Sequence, residues 1–416
     1  MRISIIGDVH CGFAWGEERG DDSFRALNEA IEASRDSDLI ILVGDLFDTR
    51  LPKQEVFAQV AKIIAQAQTF PNKTRLLESR GKDVNPLALR GVPVIALHGN
   101  HDRRSMNLVN PVQALEHAGL LTHLNAATLL FDCSGTRVAI HGMSNVPERY
   151  AKEALMSWAP HPVPNALNVL VMHQSIDPYV YSPLEPPSIK LEDMPEGFSL
   201  LIDGHMHSHD RRLLKGATFL LTGSISPTGV SRFEADQRKV FWQWDGSQLA
   251  PVPLSSQRRI FCEEFEWSPG VKQQMDDRFA QLLSTQLTTK PIIAAKVRGK
   301  LPPGTPQPNF TDLAAKWGER AVIQISKSLT SEDFDAQVEL LRALRDNRLS
   351  PEESGLRLLM DNLNQANCSI RADTIFDLLV DGQVDTIFNE LAIGPAQNSM
   401  LTEGRPSASD GERVSP

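Results

Sequence analysis

Short apolar runs alternate with amphipathic stretches through the first half of the chain, and the runs have the length of strands. RISIIG is followed by helical spacing near 23–35, and DLIILVG by helical spacing over 54–68. VPVIALHGN leads into PVQALEHAG, where Pro111 stands near a helix start. TLLFD, RVAIHG, LNVLVMH and SLLIDGHMH continue the strand series. Strands this apolar must be covered on both faces, so the alternation predicts an α/β layered core. After about residue 208 the pattern is strand-rich, and ATFLLTG, KVFWQW and LAPVPL are expected to complete a second sheet packed on the first.

The character changes near 255–265. PIIAAKVRGK and RAVIQIS read as strands of a small α+β domain, with the Pro-rich PPGTPQP as a loop between them. SEDFDAQVELLRAL, SPEESGLRLLMDNL, TIFDLLV and VDTIFNEL then read as amphipathic helices. The last stretch is polar and rich in Ser, Pro and Gly, as in a disordered tail. Four parts are therefore expected: 1–255, 256–328, 329–393 and 394–416.

A chain of 416 residues, 41% of them hydrophobic, is globular and long enough for two or three domains. It has no apolar run of about 18 residues, so no transmembrane helix is expected. MRISIIGDVH enters a strand at once and does not read as a secretory signal. Cys11, Cys133, Cys262 and Cys368 are scattered with no CxxC pair, which argues against a disulfide framework and a zinc–thiolate site. Together these features point to a cytoplasmic protein. The net charge of −10 argues against binding nucleic acid by bulk positive charge. It does not exclude a nuclease, because bound cations and local basic residues attract phosphate within an acidic chain.

Chemistry-bearing side chains fall at the C-terminal ends of the expected strands, where open α/β sheets place their sites. Asp8 and His10 follow the first strand, Asp45 the second, and Asn100 and His101 the third. His173 ends LNVLVMH, and His205 and His207 follow SLLID. Carboxylate, amide oxygen and imidazole together suit Mn, Fe, Zn or Co better than Ca. One carboxylate can bridge two ions about 3.5–4 Å apart, and such a pair turns water into a nucleophile near neutral pH. Taken singly, an Asp after a strand is as readily a turn or helix cap, and His173 a packed core histidine. It is the order of all five motifs that points to a metal site.

The series GDVH, GDLFD, GNHD, the His of VMHQS and GHMH resembles the calcineurin-like metallophosphoesterases over about the first 230 residues. Within that superfamily it is most similar to the SbcD-type double-strand-break repair nucleases, the meiotic-recombination nuclease subunit. DVHCG, GNHD rather than GNHE, and HQ after the fifth strand carry that likeness. The resemblance implies a four-layer β-sandwich flanked by helices, a small α+β capping domain that touches DNA, and a C-terminal helical segment. It implies two Mn ions per subunit, one held by Asp8, His10 and His207, the other by Asn100, His173 and His205, with Asp45 bridging. His101 would be the non-ligand acid or phosphate-stabilising group.

Other polar residues are set aside or left open. His209, His98, His141 and Cys11 are expected outside the ligand set, and Asp48 can orient a ligand from behind. Arg103, Arg104, Arg211 and Arg212 are candidate DNA phosphate contacts or, equally, solvated surface residues.

The resemblance also implies DNA as substrate, an SbcC-like coiled-coil ABC ATPase docked on the 329–393 helices, and a homodimer. The 54–68 and 111–120 helices are candidate dimer elements through Val56, Val60, Ile63 and Ile64, unless those faces pack on the sheet instead. The competing functions are a protein phosphatase or cyclic-nucleotide phosphodiesterase of the same superfamily, and a non-catalytic scaffold on the same fold.

Overall fold

The computed structural model describes residues 1–105, 107–180, 189–285, 287–302, 305–331, 351–365 and 371–380. The first of its two large sheets has six strands in the spatial order Leu249–Pro253, Val240–Trp244, Ile3–Ile6, Leu39–Leu42, Val94–Ala96 and Thr122–His123. The last four run parallel, and Val240–Trp244 joins Ile3–Ile6 antiparallel. The second sheet has seven strands, ordered His209–Leu214, Ala217–Thr222, Leu200–Asp203, Leu167–Met172, Thr136–Met143, Ala127–Cys133 and Arg75–Arg80.

Alternating residues of each strand serve two different cores. Ile3, Ile5, Leu39 and Ile41 of the first sheet meet Phe131, Ile140, Val171 and Ile202 of the second in a buried cluster between the sheets. The opposite face of the first sheet, with Ile40 and Leu42, is covered by Phe24, Leu27 and Ile31 of the helix Asp22–Ala33 and by Val56, Val60 and Ile64 of the helix Gln54–Ala65. The opposite face of the second sheet, with Leu170, Leu201 and Phe219, is covered by Ala151 and Leu155 of the helix Glu148–Trp158. The order helix, sheet, sheet, helix is the four-layer α/β sandwich that the family resemblance implied. Each fully buried Leu, Ile or Phe contributes about 1.5–3 kcal/mol. This explains why LIIL at 39–42, at most 1% exposed, carries no polar residue.

Three expectations need correction. KVFWQW and LAPVPL do not join the second sheet: Trp244 pairs with Ile3, so these strands extend the first, and only ATFLLTG joins the second. Sequence order carries no information about which sheet edge is open. Second, Val56, Val60, Ile63 and Ile64 lie in the core against the first sheet, so they offer no dimer face. Third, the strands Arg75–Arg80 and His209–Leu214 were not expected. They edge the second sheet, where exposed charge is tolerated and guards against edge-to-edge pairing, so they lack an apolar pattern.

After the sandwich come a smaller sheet of Ile260–Glu266, Ile292–Leu301 and Val322–Ser331 and the helices Val271–Leu282 and Thr311–Trp317. Buried Arg258 fastens its start to the sandwich: the Nε donates to both Asp22 oxygens at 2.7 and 2.8 Å, and Nη2 to the Glu18 carbonyl. Residues Met1–Arg298 and Pro308–Ser328 form one compact unit, and the described residues of Gly299–Gln307 and of the chain from Leu329 belong to a second. Within the second, Pro351–Gln365 and Ala372–Val380 are helical and pack on each other. The helices expected in SEDFDAQVELLRAL and VDTIFNEL, and the tail at 394–416, lie outside the described residues.

Candidate metal centre

The chain ends each of five parallel strands at the same rim of the sandwich. Asp8 and His10 leave Ile3–Ile6, Asp45 leaves Leu39–Leu42, and Asn100 leaves Val94–Ala96. His173 leaves Leu167–Met172, and His205 and His207 leave Leu200–Asp203. The first three turns belong to one sheet and the last two to the other, so the residues meet across the sandwich.

They meet as two groups. His10 Nε2 lies 3.0 Å from His207 Nε2, and Asp8 Oδ2 lies 3.9 Å from His207 Nε2. Asn100 Oδ1 lies 3.2 Å from His173 Nε2 and 3.0 Å from His205 Nδ1. Asp45 reaches both groups: its Oδ2 is 3.4 Å from His173 Nε2 and 3.9 Å from His10 Nε2.

Local backbone holds this arrangement. His10, Asp45 and His205 adopt positive φ angles of 54°, 44° and 75°. For residues with a Cβ this costs on the order of 1–3 kcal/mol each, and the surroundings must enforce it. The N–H of His10 donates to the Asp45 carbonyl at 2.9 Å, and that of His101 to Asp45 Oδ1 at 2.8 Å. Gly99 is required here: a Cβ on it would stand 2.0 Å from Asp45 Oδ1.

The imidazoles are oriented from behind. His173 donates from Nδ1 to the Val43 carbonyl at 2.8 Å, which turns Nε2 toward Asp45 and Asn100. His101 donates from Nδ1 to the Asp48 carbonyl at 2.8 Å. The Asp48 carboxylate lies 3.4 Å from His10 Nδ1. Burial pushes His205 down to about 4 and His207 down to about 3, so both are neutral donors at pH 7. Burial opposes the charge on Asp45, yet His173, His10 and His101 hold its carboxyl below the usual range.

These residues fit divalent cations. Asp8 Oδ2 is buried without a hydrogen-bond partner, and burial pushes that carboxyl up to about 6. Burial also opposes charge on His173, but Asp45 and Asp8 override it and raise the imidazole to about 10. Two carboxylates that draw a proton this strongly would also draw a metal ion. His10 Nε2 and His207 Nε2, 3.0 Å apart, are close enough for one cation to be held by both. Asp8, His10 and His207 form one compact donor group, and Asp8, Asp45 and His173 another. His101 can be grouped with His10 and Asp45 as well. Its side chain is 41% exposed, however, and its Nδ1 is committed to Asp48, which suits a group facing substrate better than a ligand.

A family model for the calcineurin-like phosphoesterases matches residues 1–209. The chain belongs to the calcineurin-like phosphoesterases. Divalent metal is the working cofactor of these metallophosphoesterases, in agreement with the donor groups above. The chain is 27% identical over 247 residues to the DNA double-strand break repair protein Mre11 of Methanopyrus kandleri, covering 55% of this chain and 49% of that protein. It is 25% identical over 309 residues to the double-strand break repair protein mre-11 of Caenorhabditis elegans, covering 64% and 42%. It is 23% identical over 307 residues to the double-strand break repair protein MRE11 of Encephalitozoon cuniculi, covering 68% and 53%. The chain thus matches about half the length of these relatives.

Other residues of this phosphoesterase occupy plainer positions. His98 bonds to His123 at 2.8 Å, and His141 to Thr128 and Asn168, as packed histidines. Cys11 is buried, and burial raises its thiol well above the usual range. Each candidate arginine has a protein partner: Arg103 donates to Asn145, Arg104 to the Val109 carbonyl, Arg211 to the Leu249 carbonyl and Arg212 to Asp210. The sequence did not single out Asp102, whose buried carboxylate joins the Asp45 and Asn100 turns. Its place inside GNHD was the available signal. Nor did it single out Asn145, which donates to the His173 carbonyl at 3.1 Å, and no motif could have revealed it.

Proposed function

We propose that this chain is a Mn-dependent DNA exonuclease and endonuclease acting in double-strand-break repair, with two Mn ions per subunit. The observation that carries the reading is Asp45: one carboxylate within 4 Å of both imidazole groups, at a rim formed by both sheets. The similarity to double-strand break repair proteins favours DNA over other phosphate esters.

Asp8, His10 and His207 would hold one ion, Asn100, His173 and His205 the other, and Asp45 both. When bound, such a pair binds phosphate oxygens and brings the pKa of a water toward neutrality. With Nδ1 held by the Asp48 carbonyl, His101 keeps Nε2 for the substrate. From there it gives a proton to the leaving oxygen or stabilises charge on the phosphate. Arg103, Arg104, Arg211 and Arg212 would contact the DNA backbone.

The 256–328 part would cap the site. The helices Pro351–Gln365 and Ala372–Val380 would carry an SbcC-like coiled-coil ABC ATPase, through apolar side chains such as the exposed Met360 and Leu379. The protein would act as a homodimer in the cytoplasm. Among the described residues no helix is long and apolar enough to cross a membrane.

Purified protein with Mn, offered double-stranded DNA, a phosphopeptide and cyclic AMP, tests the substrate. DNA cleavage is expected. Intact DNA with rapid turnover of either small ester would make this a phosphatase or cyclic-nucleotide phosphodiesterase instead. No turnover of any of the three would favour a scaffold.

A further inference from the structure

The segment Gly223–Thr228 runs behind one of the two donor groups and touches Asp8, His207 and the residue between Asp8 and His10. Ile225 donates its N–H to the Asp8 carbonyl at 3.0 Å, and Ser226 Oγ donates to the carbonyl of Val9, between Asp8 and His10, at 3.3 Å. Ser224 donates its N–H to the His207 carbonyl at 3.2 Å. The segment ends in a hydroxyl aimed at a ring: Thr228 Oγ1 lies 2.8 Å from His207 Nδ1. It is itself tied down, because buried Arg19 donates Nη2 to the Pro227 carbonyl at 2.5 Å.

We infer that Thr228 is a positioning residue for His207: its hydroxyl accepts the Nδ1 proton and so holds the Nε2 lone pair toward His10 and Asp8. An imidazole has two nitrogens, and the partner of one decides whether the other can bind a cation. His173 has a backbone carbonyl for this purpose and His10 has Asp48. Thr228 fills the same office for His207 with a side chain, which is open to substitution. The ring is 22% exposed, less enclosed than His10 or His173 at 1% and 0%, so packing restrains it least. The inference rests on the metal-site reading above, but it concerns the Asp8–His10–His207 group alone.

The test is calorimetric titration of the metal-stripped full chain with Mn ions. Wild type is expected to take up two equivalents. Thr228→Val keeps the shape and removes the acceptor. It is expected to weaken one equivalent by about 10- to 100-fold, the usual effect of losing such a partner, and to leave the other unchanged. Thr228→Ser restores the hydroxyl and is expected to bind like wild type. Far-UV circular dichroism checks the fold, and Thr228→Ala replaces the valine variant if valine disturbs it. Two unchanged equivalents in the valine variant, or equal weakening in the serine variant, overturn the role of the hydroxyl. If wild type takes up no Mn, the metal-site reading fails first, and the two failures are distinct.

Discussion

The carboxylate of Asp102 accepts the backbone N–H of Phe47 at 2.9 Å, although 55 residues separate them. Its other oxygen accepts the N–H groups of Leu46 and Gly99, each at 3.1 Å. One side chain therefore locks the turn that presents Asp45 to the turn that presents Asn100 and His101. Asp102→Ala leaves three buried N–H groups without a partner, at about 1–3 kcal/mol each before relaxation. A stability loss above about 2 kcal/mol by urea unfolding is expected, together with weaker Mn binding. A loss within the ~0.5 kcal/mol of a neutral surface change would mean that the turns hold themselves.

Gly99→Ala attacks the same junction sterically. The added methyl would stand 2.0 Å from Asp45 Oδ1 and 2.5 Å from the Asp45 nitrogen. Either the Asp45 carboxylate or the turn must move. The variant is expected to fold, with a cost of about 1–3 kcal/mol, and to lose Mn stoichiometry because the shared carboxylate is displaced. Two tightly bound Mn ions in a folded variant would show that Asp45 is not needed where it stands.

His101→Ala separates binding from chemistry. His101 is not in the hydrogen-bonded group of Asn100, His173 and His205, so Mn uptake is expected to stay at the wild-type level. DNA cleavage is expected to fall by roughly 10²–10⁴. Loss of one Mn equivalent would instead make His101 a ligand.

Arg258 and Asp22 form a buried pair at the junction of the sandwich and the small sheet. Asp22→Ala strands the guanidinium in a site 4% exposed, for which breaking a buried pair typically costs about 3–5 kcal/mol. The expected result in thermal or urea unfolding is a lower midpoint, with the Mn affinity of the remaining folded protein within a few fold of wild type. An unchanged midpoint would mean that the backbone carbonyls of Glu18 and Lys290 suffice for Arg258.

Metal removal also has a thermal signature. An ion that binds only the native state stabilises it by about 2.7 kcal/mol when its free concentration is 100 times Kd. Chelated protein is therefore expected to melt several degrees lower than protein in excess Mn, at about 2–4 °C per kcal/mol for a domain of this size. Identical melting curves would leave the donor groups without a cation to hold.

The layered architecture was legible because burial on two faces leaves a plain mark. LIIL, VIA and LNVLVM have almost no polar residues, and each lies in a sheet covered on both sides. Edge strands leave no such mark: RLLESR and HDRRLL hold no fully buried residue and carry no unbroken apolar run. The helix Glu148–Trp158 escaped notice for a related reason, since among its residues only Ala151 and Leu155 are buried.

The sequence by itself determined which side chains stand at the strand ends, because an apolar run that gives way to polar residues hands the chain to a turn at the sheet rim. It also determined that those residue types suit paired divalent cations. Tertiary structure alone decided which of them meet, since Asp45 and His173 come from different sheets whose distance no local pattern encodes. It likewise decided the supporting contacts, from Asp102 to Phe47 and from Thr228 to His207, which join turns far apart in the chain through single hydrogen bonds. Such contacts need only one polar atom in the right place. They therefore impose no periodicity and leave no composition signal until the chain is folded.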